Sequence, residues 1–304
     1  MVKQNTVTWK GFNGVSNLGE PTELDKSKLI TGINVDISKR GKIYRRPGKT
    51  RVLRGLYHSL YSNGKICLAV TNANLVNISS TFATTILRLG VGQNRMSYVS
   101  VGNAIYYTNN VVIGYIENGV SSEFTEPTEE FRVKTFSGKL IEYYLGRLYI
   151  AKDNILWYTD ALHFNSIDMR MNFKQLPNEI IMVRAVDDGL YISDTKSTYF
   201  IGGTNPKDFV LREIYDYPAI IGTDISIIGQ NINDEYQGSV AVWVGEKGIC
   251  IGMNGGQTRN ITTKEYLLPL VREGASIIRL DEIKQYVASF YTPGAETIIR
   301  DEII

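Results

Sequence analysis

The chain is 304 residues long, with 43% hydrophobic residues, 21% charged residues and a formal net charge of +2. That balance is ordinary for a globular protein and gives ample apolar material for a large core, and the eight prolines argue against a proline-rich linker or stalk. So small a net charge excludes nucleic-acid binding by the surface as a whole, and no run approaches the ~20 apolar residues that cross a bilayer, so no membrane insertion is expected.

Residues 1–49 come first, and they read as an extended N-terminal arm with short strands. The opening residues lack the apolar core of a signal peptide, so the chain is expected to be made in the cytoplasm and not exported by the usual route. Hydrophobics here are scattered among turn residues and charge. Near the end of the arm lies a basic run. Lys39, Arg40, Lys42, Arg45, Arg46, Lys49, Arg51 and Arg54 place eight cations in sixteen residues. One reading is a phosphate-facing patch making non-specific, salt-sensitive contact with double-stranded DNA. The other is a solvated or subunit-contacting face, with arginines paired to carboxylates such as Glu126, Glu129 and Glu130.

From residue 50 to 304 one pattern recurs: a turn with Gly, Asn or Asp, a short strand, a polar turn, and a second strand. The copies centre near Lys65, Ile105, Leu148, Leu190, Val242 and Val287, spaced by 40, 43, 42, 52 and 45 residues. A four-stranded propeller blade occupies roughly 40–50 residues. Abundant Tyr (19) and Gly (28) suit strands and turns. In Leu148–Ala151 and Leu190–Ser193 bulky residues lie on both strand faces, as expected of sheets sandwiched between neighbours. The spacing therefore predicts an all-β fold, a β-propeller of about six blades. One strand of the arm is expected to pair with the last blade and remove its open edge. Helix is expected to be sparse, with short candidates over 162–171 and 264–274, the latter interrupted by Pro269.

Motifs for chemistry are scarce. There is no nucleophile elbow, zinc-protease helix or phosphate-binding loop. Cys67 and Cys250 sit in apolar runs and read as buried thiols. His58 and His163 show no ligand spacing, so no metal site is expected. A glycan hydrolase needs two carboxylates about one bond. The candidates are Asp160, Glu179, Asp187 and Asp188, but Asp187–Gly189 reads better as a hairpin turn and Asp160 as a loop cap. Gly252–Gly256 reads as a turn. No catalytic residue, cofactor-binding residue or cofactor is expected, and the chain is read as a non-enzyme.

Two stretches carry a family resemblance. The first is Gly11-Phe12-Asn13-Gly14-Val15, then Gly32-Ile33-Asn34-Val35-Asp36, then Gly41 to Gly48 with Arg45-Arg46-Pro47-Gly48. The second runs from Trp157-Tyr158-Thr159-Asp160 through Gly189-Leu190-Tyr191-Ile192 to Thr198–Pro206 and Phe209. These resemble the tail hub or nozzle propellers of podovirus-type bacteriophages, the packaged-DNA stabilisation type. The resemblance implies a structural protein of the virion tail. It would form a homo-oligomeric ring, a hexamer, below the portal and adaptor, near tail needle or fibre proteins. It would line part of the DNA exit channel and retain packaged DNA. The alternative is a host-receptor or glycan-binding propeller at the tail tip.

Overall fold

The computed structural model describes residues 11–20, 22–38, 40–48, 50–232, 234–262, 266, 268, 271–280 and 284–291. Lys39 and Lys49 of the basic run, and much of the 264–274 helix candidate, lie outside them.

Five of the six predicted strand pairs are the middle of a four-stranded antiparallel meander. Sheet 1 is His58–Ser62, Cys67–Thr71, Asn74–Ile78 and Thr84–Arg88. Sheet 2 is Ser97–Val101, Ala104–Thr108, Ile113–Glu117 and Val120–Ser122. Sheet 3 is Leu140–Tyr144, Arg147–Lys152, Ile155–Tyr158 and Phe173–Gln175. Sheet 4 is Ile180–Val186, Gly189–Asp194, Thr198–Gly202 and Val210–Tyr215. Sheet 5 is Ile225–Ile228, Ser239–Gly245, Gly248–Gly252 and Thr258–Asn260. A sixth unit follows as a hairpin of Glu273–Leu280 and Lys284–Tyr291. Helix among the described residues is confined to three short 3-10 turns.

The sheets stack face to face in chain order. Leu68, Val70 and Leu75 of sheet 1 meet Tyr98, Ile105 and Tyr107 of sheet 2. Val99 and Ile113 of sheet 2 pack on Ile141 and Ile150 of sheet 3. The other face of sheet 3 gives Tyr149 and Leu156 to Leu190 and Ile192 of sheet 4. Met182, Tyr191 and Phe200 then meet Ala241 and Trp243 of sheet 5, whose Val244 meets Ala288 and Phe290 of the hairpin. A strand buried on both faces must be apolar on both, which explains continuous runs such as Leu148–Ala151. Gly189 shows how close the packing is: a Cβ there would lie 2.4 Å from the Phe200 ring.

The series curves back on itself. Arg95, just before the first strand of sheet 2, donates to Gly222 O at 2.9 Å and to Gly274 O at 2.7 Å. One guanidinium thus joins sheet 2 to the lead-in of sheet 5 and to the last hairpin. This is a β-propeller, with the first strand of each sheet innermost. Among the described residues the arm's strands pair with one another: Gly14–Val15 with Lys28–Leu29, and Val35–Ile37 with Ile43–Arg45; residues 1–10 of the arm and 292–304 of the last blade lie outside them.

Residues 162–171 form turns and a short strand in place of the expected helix. Ser166–Ile167 pairs with Val133–Lys134, burying Ile167 completely. The Asp168 carboxylate accepts the Arg170 N–H and holds the next turn. Tertiary pairing outweighs weak helical spacing here.

Leu190 is fully buried between sheets 3 and 4. Leu190→Ala should cost ~2–5 kcal/mol through lost contacts and a residual cavity. Chemical denaturation should show this as a lower midpoint.

Candidate functional site

The most concentrated buried charge lies at the hub. Glu142 occupies the first strand of sheet 3 opposite Tyr149, and Arg184 the first strand of sheet 4 opposite Tyr191. They are equivalent positions in successive blades. Arg184 Nη1 donates to Glu142 Oε2 at 3.1 Å. Arg184 Nε lies 2.7 Å from Asp224 Oδ2, just ahead of the first strand of sheet 5. Glu142 Oε1 accepts the Tyr143 N–H at 2.9 Å. The Glu142 and Asp224 side chains are only 7% and 5% exposed, and Arg184 21%. So one guanidinium ties three consecutive blades together.

Burial is the strongest influence on Glu142 and lifts its carboxyl above the usual carboxylate range, with Arg184 opposing the rise. Burial pulls Arg184 downward, but the charges of Asp224 and Glu142 outweigh it and raise Arg184 above its ordinary value. Desolvating such charges is expensive, and mutual attraction and hydrogen bonding offset that cost.

Neighbouring hub contacts are neutral. Tyr61 Oη and Ser100 Oγ lie 2.6 Å apart, joining sheets 1 and 2. Ser97 Oγ accepts the Ile141 N–H at 3.1 Å, joining sheets 2 and 3. Tyr286 of the hairpin donates its hydroxyl to Thr223 O.

The four carboxylates considered for glycan hydrolysis are each engaged in an ion pair or a turn. Asp160 accepts from Arg132 Nε at 2.5 Å, Ser166 Oγ at 3.0 Å and Asn172 Nδ2 at 2.9 Å. Burial would raise its carboxyl, but these hydrogen bonds together hold it below the usual range. Glu179 pairs with Lys139. Asp187 accepts the Ser239 N–H at 3.1 Å, and Asp188 the Gly255 N–H at 2.6 Å. Asp187 and Asp188 therefore pin the Asn254–Gly256 turn of sheet 5 to the hairpin of sheet 4. A proton donor working near neutral pH needs a raised carboxyl, and Asp160 and Asp187 are both shifted down.

The described cations of the basic run, Arg40, Lys42, Arg45, Arg46, Arg51 and Arg54, are all exposed. Arg46 pairs with buried Asp36 at 2.8 Å across the Val35–Ile37 hairpin, and Arg51 Nε donates to Leu53 O at 3.1 Å. Of the acidic partners considered, Glu126 pairs with Lys134. Cys67 is half-buried and Cys250 buried, both as free thiols. Burial pushes the Cys250 thiol up to about 11, which removes thiolate reactivity at neutral pH. His58 is half-buried, and His163 is exposed. Among the described residues no group of three His, Cys, Asp or Glu side chains is placed to hold a metal, and no helix is long and apolar enough to cross a membrane.

The hub was not singled out from sequence. A signal existed: Glu142, Arg184 and Asp224 interrupt or border apolar strands at intervals of 42 and 40 residues, one blade repeat each.

No protein-family model and no curated protein matches the chain. Solved structures similar to it include PorZ, a surface component of the type-IX secretion system of Porphyromonas gingivalis. That match has 10% identity, covers 69% of this chain and 27% of that one, and has a TM-score of 0.44. A virginiamycin B lyase from Staphylococcus aureus is 15% identical over 72% of each chain, with a TM-score of 0.46. The N-terminal domain of Nup159 is 9% identical, with 76% and 72% covered and a TM-score of 0.47. The chain spans about a quarter of PorZ. Similarity this low carries no argument about activity or partners, so the architecture rests on the chain's own sheets.

Arg184→Met strands two buried carboxylates and should destabilise the protein by ~3–5 kcal/mol. Replacing all three hub residues together (Glu142→Leu, Arg184→Met, Asp224→Leu) should recover most of that loss in the same denaturation assay. Asp160, held low in the folded state, stabilises the fold above its unfolded pKa of roughly 3.9. That contribution disappears as pH falls through the lower folded value. Asp160→Asn should therefore be destabilised by ~1.5–3 kcal/mol at pH 7, with the two proteins converging in strong acid.

Proposed function

We propose that this chain is a non-enzymatic structural subunit of a bacteriophage tail, a hub or nozzle propeller assembling as a homo-oligomeric ring below the portal and adaptor. The observation that carries the reading is the paired resemblance of residues 11–48 and 157–209 to that family. The candidate carboxylates support it: each holds a turn or an ion pair. The propeller's rigid sheets and two loop-bearing faces suit repeated contact with copies and partners. Rotation between neighbours must divide a full turn for such a head-to-tail ring to close. In this account the exposed cations of the arm meet a neighbouring subunit or the phosphates of packaged DNA, and the ring contributes to the exit channel.

Negative-stain images of the purified full chain should show closed rings with a central hole, sixfold by the family resemblance. The double substitution Lys42→Glu/Arg45→Glu should reduce ring formation or DNA retention without lowering thermal stability. A persistent monomer that degrades surface polysaccharide would contradict the proposal.

A further inference from the structure

On the outer part of sheet 3, side chains form an open groove of about 280 Å³ lined by Phe136, Lys152, Asp153, Ile155, Trp157 and Met169. It exists because the fourth strand of sheet 2, Val120–Ser122, is only three residues long. Sheet 2 covers Ile141 and Ile150 of sheet 3 but leaves Trp157 half-buried and Phe173 38% exposed. The chain between sheets 2 and 3 returns Phe136 to form a wall, edge-on to Trp157 at 5.5 Å. Phe173 packs on the other side of Trp157 at 5.4 Å. The indole is thereby held half-buried between two rings, as part of the groove lining.

The rim is polar and rigid. Asp153 and Asn154 form the two-residue turn between Arg147–Lys152 and Ile155–Tyr158, with Asp153 at φ 54°. That left-handed geometry suits such a turn. The turn is tied down where Asp153 O accepts the Ile180 N–H at 2.8 Å and Asn154 Nδ2 donates to Leu176 O at 2.9 Å. Lys152 Nζ stands 5.3 Å over the Phe136 ring. One ammonium and one carboxylate, both exposed, thus flank an aromatic floor.

We propose that this groove binds a sugar ring. A pyranose presents an apolar face of C–H groups that stacks on an indole, and a perimeter of hydroxyls that both donate and accept. Trp157 supplies the platform, Asp153 an acceptor and Lys152 a donor. The volume sits just below the roughly 300–1,000 Å³ typical of small-molecule sites, which suits one or two sugar units, such as the end of a surface polysaccharide. A proline-rich peptide would use a longer aromatic trough and would leave the carboxylate unmatched. The inference rests on the groove alone and is independent of ring assembly.

The test is saturation-transfer NMR on the full chain with the methyl glycosides of glucose, galactose, mannose and N-acetylglucosamine at millimolar concentration. At least one should receive saturable transfer on its ring protons. Trp157→Ala should abolish it. Lys152→Ala/Asp153→Gly, with Gly keeping the left-handed turn, should weaken it by about 10-fold or more. Phe82→Ala, an exposed aromatic in the turn between the last two strands of sheet 1, should bind as the parent does. Absence of transfer from all four glycosides, transfer unchanged in folded Trp157→Ala, or binding of a proline-rich decapeptide in their place would overturn the proposal.

Discussion

A sheet that is apolar on both faces cannot stand alone in water, and most of this structure follows from that. Sheet 3 buries Ile141 and Ile150 on one side and Tyr149 and Leu156 on the other. Sheet 4 does the same with Leu190 and Ile192 against Tyr191 and Phe200. Each such sheet needs two neighbours, and each neighbour inherits the same need. A row that curves back on itself leaves the fewest faces uncovered. Sheet 1 shows what happens at an end of the series: its far face, Ala69, Val76 and Ile78, packs on Leu53 and Tyr57 from the incoming chain.

Polar groups decide how the row curves. Near the axis the first strands converge, and wide apolar side chains would hold them apart. Glu142, Arg184 and Asp224 instead grip one another across three blades, and Arg95 spans to Gly222 and Gly274. A hydrogen bond has a defined length and direction, so such contacts fix a geometry that apolar packing leaves loose. The same logic runs through the turns, where Asp187 and Asp188 clamp one blade to the next. A fold of this kind gives a stiff disc whose outer surfaces are free to vary. The groove at Trp157 lies on that outer surface.

The sequence showed the middle two strands of sheets 1 to 5 because they are contiguous, apolar and joined by short polar turns. Copies such as LGRLYIAKDNILWYTD contain little else. The first and fourth strands were harder to see. Leu140–Tyr144 carries Glu142 in its centre, and Phe173–Gln175 is three residues long after a wandering connection. Neither shows clean alternation. The helix candidate at 162–171 failed for a related reason, since Ile167 is buried by pairing with Val133 rather than along a helix face. The buried status of Cys250 and the turn role of Asp187–Gly189 were legible, because both follow from neighbours in sequence. The hub was not, because its three members meet only after the blades close. The Trp157 groove was hidden likewise, since Phe136 and Phe173 reach the indole from separate segments.

Curvature of the row back onto itself is the claim on which the rest stands. Spin labels at Asn94→Cys and Glu273→Cys, which leave Arg95 in place, with Cys67 and Cys250 replaced by Ala, would measure it directly by pulsed electron paramagnetic resonance. Contact between Arg95 and Gly274 predicts a single short distance, under roughly 25 Å once label arms are included. An open stack of sheets spaced ~10 Å apart would place these positions about 40 Å apart or more, and that distance would contradict the account.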